Sequence, residues 1–277
     1  MKPLPLKYAP RVVVRLLWLA GELSLAPFTF LSICAFRSKT SRISARAQWL
    51  HYTCRRCLKV FCVRSSVLGL IPSHGLLVCN HLSYLDILVL AAKTPAVFVA
   101  KREVKLWPVF GWFARLAGTL FVNREKRTQV AQATAELEQT LDSGALVVLF
   151  PEGTSSDGRT VLPFKSALLA PATRSCRPLF AGYICYELDD GDVREEVCYW
   201  KDMTLLPHLV NLLSKRAPRV FVRFSQLQHS TTDRKELARQ LHSEVLRLQK
   251  LENAGTLVPY QLACEWENYL MAKQGCD

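Results

Sequence analysis

A histidine and an aspartate five residues apart are the first pair of side chains whose types suit acid–base chemistry. His81 follows the apolar run 76–79, and Asp86 stands in a helical pattern that begins near Ser83. Residues five apart on one regular helix lie about 140° from each other, so the two meet only if His81 precedes the helix. The carboxylate would then fix the imidazole tautomer and leave the second ring nitrogen free to take a proton from a hydroxyl. From this pair alone, a structural histidine remains the alternative.

Charged residues also follow three other apolar runs. Lys101 comes after the run 96–100 and Arg124 shortly after the run 119–122. A guanidinium at the end of a buried strand can grip a phosphate or a carboxylate with its planar fork, and a solvated surface arginine is the alternative.

The third of these runs, 145–150, is followed by Pro151, Glu152 and Gly153. The proline stops the strand, and the glycine lets the backbone turn tightly or approach a ligand. Glu152 is placed either to accept hydrogen bonds from a polar headgroup or to hold the site together.

Short apolar runs alternate with helical patterns from residue 70 onward. This alternation predicts an α/β domain with a largely parallel sheet, whose functional residues lie where strands end. The predicted strands are 76–79, 96–100, 119–122, 145–150, 179–186 and 220–224, and the predicted helices are 84–92, 107–116, 128–141 and one opening at Asp233.

The first 66 residues differ from the rest of the chain in charge. They hold twelve Lys and Arg against one acid, Glu22, whereas the other 211 residues hold 24 against 22. A basic arm on a nearly neutral body indicates a polyanionic partner, either nucleic acid or anionic lipid. The arm contains the apolar stretch 12–36, which nucleic acid would not require, so a membrane is favoured.

The stretch 12–36 is interrupted by Arg15 and Glu22, and its longest uncharged run, 23–36, has 14 residues and contains Pro27. A membrane span needs about 20 apolar residues. We therefore expect an interfacial or re-entrant helical pair bent near Pro27, held to anionic headgroups by its Lys and Arg. A buried core helix is the alternative, and the two charges argue against a signal peptide.

Residues 42–61 show helical periodicity, with Cys54 and Cys57 on the apolar stripe. A Cys-x-x-Cys pair resembles half of a zinc site, but no second pair follows at zinc spacing. We interpret both cysteines as core residues of a protein from a reducing compartment.

Four segments follow one another in the chain: Asn80-His81 with Asp86, Gly118-x-x-Phe121-Val122-x-Arg124, Phe150-Pro151-Glu152-Gly153-Thr154, and Val161-Leu162-Pro163-Phe164-Lys165. In this order they resemble the four sequence blocks of the glycerolipid acyltransferase family, in particular its bacterial 1-acyl-sn-glycerol-3-phosphate acyltransferases. The resemblance covers residues 70–225, and the basic arm stands where that family keeps a membrane-binding helical motif.

The resemblance implies transfer of a fatty acyl group from acyl-coenzyme A or acyl carrier protein to the free sn-2 hydroxyl of 1-acyl-glycerol-3-phosphate, giving phosphatidic acid. His81 would act as general base and Asp86 would orient it, with direct attack and no acyl-enzyme. No metal or cofactor is implied. The implied acceptor-binding residues are Lys101, Arg124, Glu152, Gly153 and Thr154.

One departure from the family concerns the acceptor. Phosphatidate-forming members often continue the third block with an arginine, where this chain has Ser155, and the nearest arginine is Arg159. A serine also fits relatives that acylate lyso-ornithine lipid, whose headgroup carries no phosphate, so that acceptor is the alternative. A non-catalytic basic protein that binds membrane or nucleic acid is the distant alternative, and it leaves His81 and Asp86 unexplained.

The chain is therefore expected to comprise membrane-binding helices (1–66), an acyltransferase domain (67–253) and a C-terminal extension (254–277). The expected partners are membrane lipids, the lysophospholipid acceptor and the acyl carrier, with no nucleic acid. The protein should be associated with a membrane through its N-terminal anchor, with the active site on the cytoplasmic face.

Overall fold

One sheet of seven strands forms the centre of the chain, which this computed structural model describes over residues 8–35, 37–123, 127–174, 177–228 and 231–253. The strands are β1 (Arg64–Leu68), β2 (Gly75–Cys79), β3 (Val97–Lys101), β4 (Leu120–Val122), β5 (Leu146–Leu149), β6 (Leu179–Glu187) and β7 (Arg219–Leu227). Their order across the sheet is β1-β7-β6-β2-β5-β3-β4.

Five neighbouring strands run in the same direction, and two run against them. β6, β2, β5, β3 and β4 are parallel, whereas β7 pairs with β6 in the antiparallel sense and β1 lies parallel to β7. The carboxyl ends of β2, β5 and β3 therefore meet at one edge, called the carboxyl edge below. This arrangement confirms the predicted α/β fold with a largely parallel sheet.

Helices cover both faces of the sheet because the central strands are buried on both sides and offer continuous apolar runs. α2, α3 and α7 pack on one face and α5 and α8 on the other, while α1 lies against α2 and α7. The helices are α1 (Ala9–Cys34), α2 (Lys39–Phe61), α3 (Tyr84–Lys93), α4 (Phe110–Leu116), α5 (Arg127–Asp142), α6 (Val193–Glu196), α7 (Leu205–Ser214) and α8 (Arg234–Asn253), with 3-10 helices at Arg102–Leu106 and Ala167–Thr173.

Four elements were not predicted from the sequence, or were placed differently. β1 is a short strand, Arg-Ser-Ser-Val-Leu, at the edge of the sheet, and its half-exposed polar residues give no apolar run. α7 and the single-turn α6 were also missed. The helix predicted over 107–116 begins only at Phe110, because the preceding residues form the separate 3-10 helix.

The N-terminal apolar stretch forms one helix, which corrects the expected pair bent near Pro27. α1 continues through Pro27 for 26 residues, about 39 Å at 1.5 Å per residue. In the described part of the chain, α1 is a helix that is both long enough and apolar enough to cross a membrane. The run counted from the sequence was shorter because it stopped at each charged residue.

Both charged residues that interrupt the apolar stretch 12–36 have partners inside the protein. The Arg15 guanidinium is buried and donates hydrogen bonds to the carbonyl oxygens of Leu213 at 2.9 Å and Arg216 at 3.0 Å, and also to that of Lys215. Glu22 forms an ion pair with Arg56 of α2. Arg15 was expected to face lipid headgroups, and instead it satisfies carbonyl groups left open at the end of α7.

The outer side of α1 carries an exposed apolar stripe. Its members recur at the spacing of one helix face and are Val14, Leu17, Leu25, Phe28 and Leu31. The opposite side, which includes Leu19 and Ala26, is buried against the protein. α1 is thus held to the body by one face and leaves an apolar face uncovered.

Cys54 and Cys57 lie in the core, as the sequence predicted. Both are buried, and burial raises the pKa of the Cys57 thiol to about 11, which keeps it protonated. No group of three or more His, Cys, Asp or Glu side chains in the described part of the chain is arranged to hold a metal ion. The predicted extension 254–277 lies outside the described residues.

Replacing Arg15 by methionine should reduce the free energy of unfolding by about 2–4 kcal/mol, because hydrogen bonds from a charged donor to three carbonyl groups are lost. Urea unfolding in detergent solution measures this change. Arg55→Met, at an exposed position of α2, is the matched control and should leave stability unchanged. Equal stability of the Arg15 and Arg55 variants would contradict the anchoring role of Arg15.

Candidate active site

The structure brings His81 and Asp86 into direct contact at the carboxyl edge. His81 lies in the loop between β2 and α3, and Asp86 lies in the first turn of α3. The imidazole Nδ1 is 2.8 Å from Asp86 Oδ2. The imidazole keeps 20% of its surface exposed, whereas the carboxylate has 0%. The loop before the helix is what allows the contact that a regular helix would prevent.

Asp86 accepts hydrogen bonds from three further donors. The backbone N–H groups of Leu82 and Ser83 lie 2.6 Å and 2.9 Å from Oδ2, and the Tyr186 hydroxyl lies 2.6 Å from Oδ1. The carboxylate also accepts the hydrogen bond from the Nδ1–H of His81, which leaves Nε2 as the basic nitrogen of the imidazole.

Aromatic stacking and a backbone hydrogen bond fix the orientation of His81. Its ring stacks on Phe150, with centroids 4.2 Å apart and planes inclined by 18°, and Phe98 lies behind Phe150 at 6.4 Å. The His81 carbonyl accepts a hydrogen bond from the Ser156 N–H at 3.0 Å. Phe150 therefore packs against one face of the imidazole, and Asp86 holds its Nδ1 edge.

Glu152 joins three of the four sequence blocks. Its Oε1 accepts the backbone N–H of His81 at 2.9 Å, and its Oε2 accepts that of Leu162 at 3.3 Å. The side chain is buried, and this burial raises the pKa of Glu152 to about 7, against the lowering effect of the two backbone hydrogen bonds. Glu152 was considered either as a ligand of a polar headgroup or as a residue that holds the site together. These two contacts correspond to the second role.

Gly153 and Thr154 complete the turn after β5. Gly153 adopts φ +76°, a left-handed conformation that favours glycine, and its N–H donates to the Phe150 carbonyl at 3.2 Å. Thr154 is exposed at the carboxyl edge. Their roles in binding an acceptor stay predictions.

The two predicted phosphate-binding residues have different outcomes. Lys101 is the last residue of β3, is exposed, and lies at the carboxyl edge with His81. Arg124 lies outside the described residues. Lys101 is thus available to an anionic group approaching this edge.

At the position where the third block often has arginine, this chain has a serine whose hydroxyl is already hydrogen-bonded. Ser155 Oγ donates a hydrogen bond to the Tyr199 carbonyl. Arg159 is exposed, and its Nε lies 3.4 Å from Asp157 Oδ2. Neither side chain repeats an arginine placed directly after Thr154.

A second histidine supports the site from behind and was not identified from the sequence. His208 of α7 is buried, with Nδ1 3.0 Å from the Tyr84 hydroxyl and Nε2 3.1 Å from the Cys198 carbonyl. Burial lowers the pKa of His208, so its imidazole is neutral: Nε2–H donates to the carbonyl, and Nδ1 accepts from Tyr84. Because Tyr84 is the first residue of α3, its hydrogen bond with His208 fixes the start of the helix that carries Asp86.

Comparison with known proteins identifies the family of this chain. A family model described as Acyltransferase matches residues 69–185. The chain is 39% identical over 198 residues to a lyso-ornithine lipid O-acyltransferase of Brucella abortus, covering 66% of this chain and 74% of that protein. It is 34% identical over 143 residues to a 1-acyl-sn-glycerol-3-phosphate acyltransferase of Neisseria gonorrhoeae, covering 48% and 56%.

A solved structure shows the same fold. The crystal structure of the 1-acyl-sn-glycerophosphate (LPA) acyltransferase PlsC from Thermotoga maritima superposes with a TM-score of 0.65 at 19% identity, covering 88% of this chain and 98% of that one. The two chains therefore share the α/β fold with its largely parallel sheet. The chain belongs to the acyltransferase family and is an O-acyltransferase.

Removing the Tyr186 hydroxyl should impair catalysis without unfolding the protein. Tyr186→Phe leaves Asp86 with one donor fewer, so the carboxylate orients His81 less firmly, and we expect kcat to fall about tenfold at unchanged KM. Tyr183→Phe is the matched control, since Tyr183 is a buried tyrosine on the opposite face of β6. Equal kcat values for both variants and the wild type would rule out a positioning role for Tyr186.

Glu152 should make stability depend on pH near neutrality. Because its folded pKa is about 7 against an ordinary 4.5, the folded chain retains a proton that the unfolded chain releases. The free energy of unfolding should therefore fall between about pH 4.5 and pH 7, by up to about 3 kcal/mol. Urea unfolding at several pH values should show this slope in the wild type and a flatter one in Glu152→Gln. Parallel pH profiles would contradict the assignment.

Proposed function

We propose that this enzyme transfers a fatty acyl group from acyl-coenzyme A or acyl carrier protein to the free sn-2 hydroxyl of 1-acyl-glycerol-3-phosphate, giving phosphatidic acid. The observation that carries the proposal is the contact between His81 and the buried Asp86 at the carboxyl edge. A neutral imidazole with one nitrogen occupied by a carboxylate is a general base for a hydroxyl.

The reaction then needs one base and no protein nucleophile. His81 Nε2 removes the proton of the acceptor hydroxyl as the oxygen attacks the thioester carbonyl carbon. Asp86 stabilises the imidazolium that forms. When the tetrahedral intermediate collapses, the carbon–sulfur bond breaks, the thiolate leaves, and the imidazolium returns the proton to the sulfur.

Acceptor recognition is proposed to use charges at the same edge. Lys101 is exposed at the end of β3 and would contact the acceptor phosphate together with Arg124. Gly153 and Thr154 would shape the floor of the acceptor site, while Glu152 holds the backbone around it. No metal ion or cofactor takes part in this scheme.

Lyso-ornithine lipid is a second candidate acceptor, and one observation favours it. Ser155 stands where phosphatidate-forming members often have arginine, and its hydroxyl is bound to the Tyr199 carbonyl, so this position supplies no cation to a phosphate. Relatives such as those of Brucella abortus and Rhizobium meliloti carry the name lyso-ornithine lipid O-acyltransferase. The same base would then deprotonate a hydroxyl of a lipid with an amino-acid headgroup.

The enzyme is proposed to work at the cytoplasmic face of a membrane. The uncovered apolar stripe of α1 and the basic N-terminal residues fit a bilayer with anionic headgroups. Both candidate acceptors are lipids that reside there.

Acyl transfer from a radiolabelled thioester, measured in parallel with lysophosphatidate and lyso-ornithine lipid, tests the proposal. His81→Ala should lower turnover by about 10²- to 10⁴-fold, because the general base is lost. His74→Ala is the matched control: His74 is an exposed histidine in the loop before β2, away from the carboxyl edge. Near-normal turnover of the His81 variant would remove this residue from the mechanism.

The same assay distinguishes the acceptors. Transfer to lysophosphatidate that depends on His81 would support phosphatidate synthesis without the arginine after Thr154. Transfer to the ornithine acceptor alone would show that Ser155 marks a changed headgroup site. Transfer to neither acceptor would contradict the proposed function.

A further inference from the structure

An uncovered apolar segment lies beside the active site and runs from the end of β3 into the first turn of α4. Residues 102–112, called the β3–α4 segment below, follow Lys101 at the carboxyl edge. Three of its apolar side chains are strongly exposed, with Leu106 at 84%, Val109 at 50% and Trp112 at 41%. Exposed large apolar side chains grouped in one short segment indicate a contact surface more strongly than scattered ones do.

The segment presents these side chains from a tightly folded backbone. A Cβ on Gly111 would lie 2.5 Å from the Lys105 carbonyl oxygen, so only glycine allows the start of α4 to approach the 3-10 helix this closely. The Gly111 N–H donates to the Trp107 carbonyl at 2.9 Å. The three apolar side chains are therefore displayed at fixed positions.

Val109, one of the three exposed side chains, has an unfavourable backbone conformation. Its φ is +61°, and a β-branched residue is a genuine outlier in that region. Half of the Val109 surface is exposed, so packing inside the protein offsets little of this strain. Such strain is typical of residues that act in recognition.

Basic residues accompany the apolar ones. Arg102 and Lys105 are exposed on the same segment and follow Lys101, with Glu103 as the acid among them. Apolar side chains flanked by Lys and Arg match the interface of a bilayer, where hydrocarbon lies beneath anionic headgroups. A bilayer satisfies both the apolar and the charged members of the segment.

A row of aromatic contacts connects the segment to α1. Trp112 packs on Phe113 at 5.2 Å, Phe113 stacks on Trp49 at 5.9 Å, and Trp49 contacts Phe30 of α1 at 5.3 Å. The segment is therefore joined to α1 by packed aromatic side chains, which fix the position of one relative to the other.

We propose that the β3–α4 segment is a second membrane contact, in which Leu106, Val109 and Trp112 enter the headgroup region of a bilayer containing anionic phospholipid. α1 supplies the first contact. The second holds the carboxyl edge, with His81 and Lys101, against the lipid surface. An acceptor lipid then reaches the base from the bilayer without crossing water.

A tryptophan reporter tests the contact directly in the full-length chain. Compared with the wild type, whose own tryptophans include Trp112 of the segment, Leu106→Trp should add blue-shifted emission with phosphatidylcholine–phosphatidylglycerol vesicles, and this added emission should be quenched when the acyl chains are brominated. Leu70→Trp is the matched control: Leu70 is 71% exposed and follows β1, whose direction places it at the opposite edge of the sheet. No lipid response from Leu106→Trp, or an equal response from both variants, overturns the proposal. So does a response that follows protein concentration rather than lipid, which would indicate a second copy of the chain.

A functional assay, which rests on the proposed lipid acceptor, gives a second readout. The double variant Leu106→Gln, Val109→Gly removes two apolar groups, and glycine has no Cβ to clash in this positive-φ conformation, so folding is preserved. Its turnover of acceptor in vesicles should fall about tenfold, while turnover of a short-chain acceptor dissolved in water should equal that of the wild type. Unchanged turnover in vesicles would overturn the proposal. If the wild type acylates neither form, the proposed function fails, and the fluorescence result still decides the membrane contact.

Discussion

The buried carboxylate of Asp86 is the constraint on which the site depends. A charge without solvent is stable only when donors surround it, and Asp86 has four: the imidazole, two backbone N–H groups and the Tyr186 hydroxyl. These donors come from the loop after β2 and from β6. Asp86 therefore keeps all of its donors only while these elements stay in register, and that register places His81 at the carboxyl edge.

Glu152 is a second buried carboxyl group with a different environment. It receives two backbone donors and lies near Asp86, and its pKa is raised to about 7. The site thus holds one carboxylate surrounded by four hydrogen-bond donors and one carboxyl group whose pKa is about 7. The first orients the base, and the second ties the loop of His81 to the turns that follow β5.

Local patterns in the sequence predicted most of the sheet and the His81–Asp86 pair, because apolar runs and a five-residue spacing are visible in one window. Contacts between distant residues were not predicted. Tyr186 lies 100 residues from Asp86, and Arg15 lies 198 residues from Leu213. A single sequence carries no signal that joins such positions, so Arg15 was interpreted as a charge for lipid when it serves the end of α7.

The anchoring of α1 by Arg15 also imposes an order of events during synthesis. The guanidinium leaves the ribosome about 200 residues before the carbonyl groups that it binds, an interval of roughly 10–40 s at 5–20 residues per second. β1 likewise waits for β7, its only partner strand in the described sheet. For most of its translation the nascent chain therefore offers α1 only α2 as a packing partner, and the contact between Arg15 and the end of α7 forms among the last steps of folding.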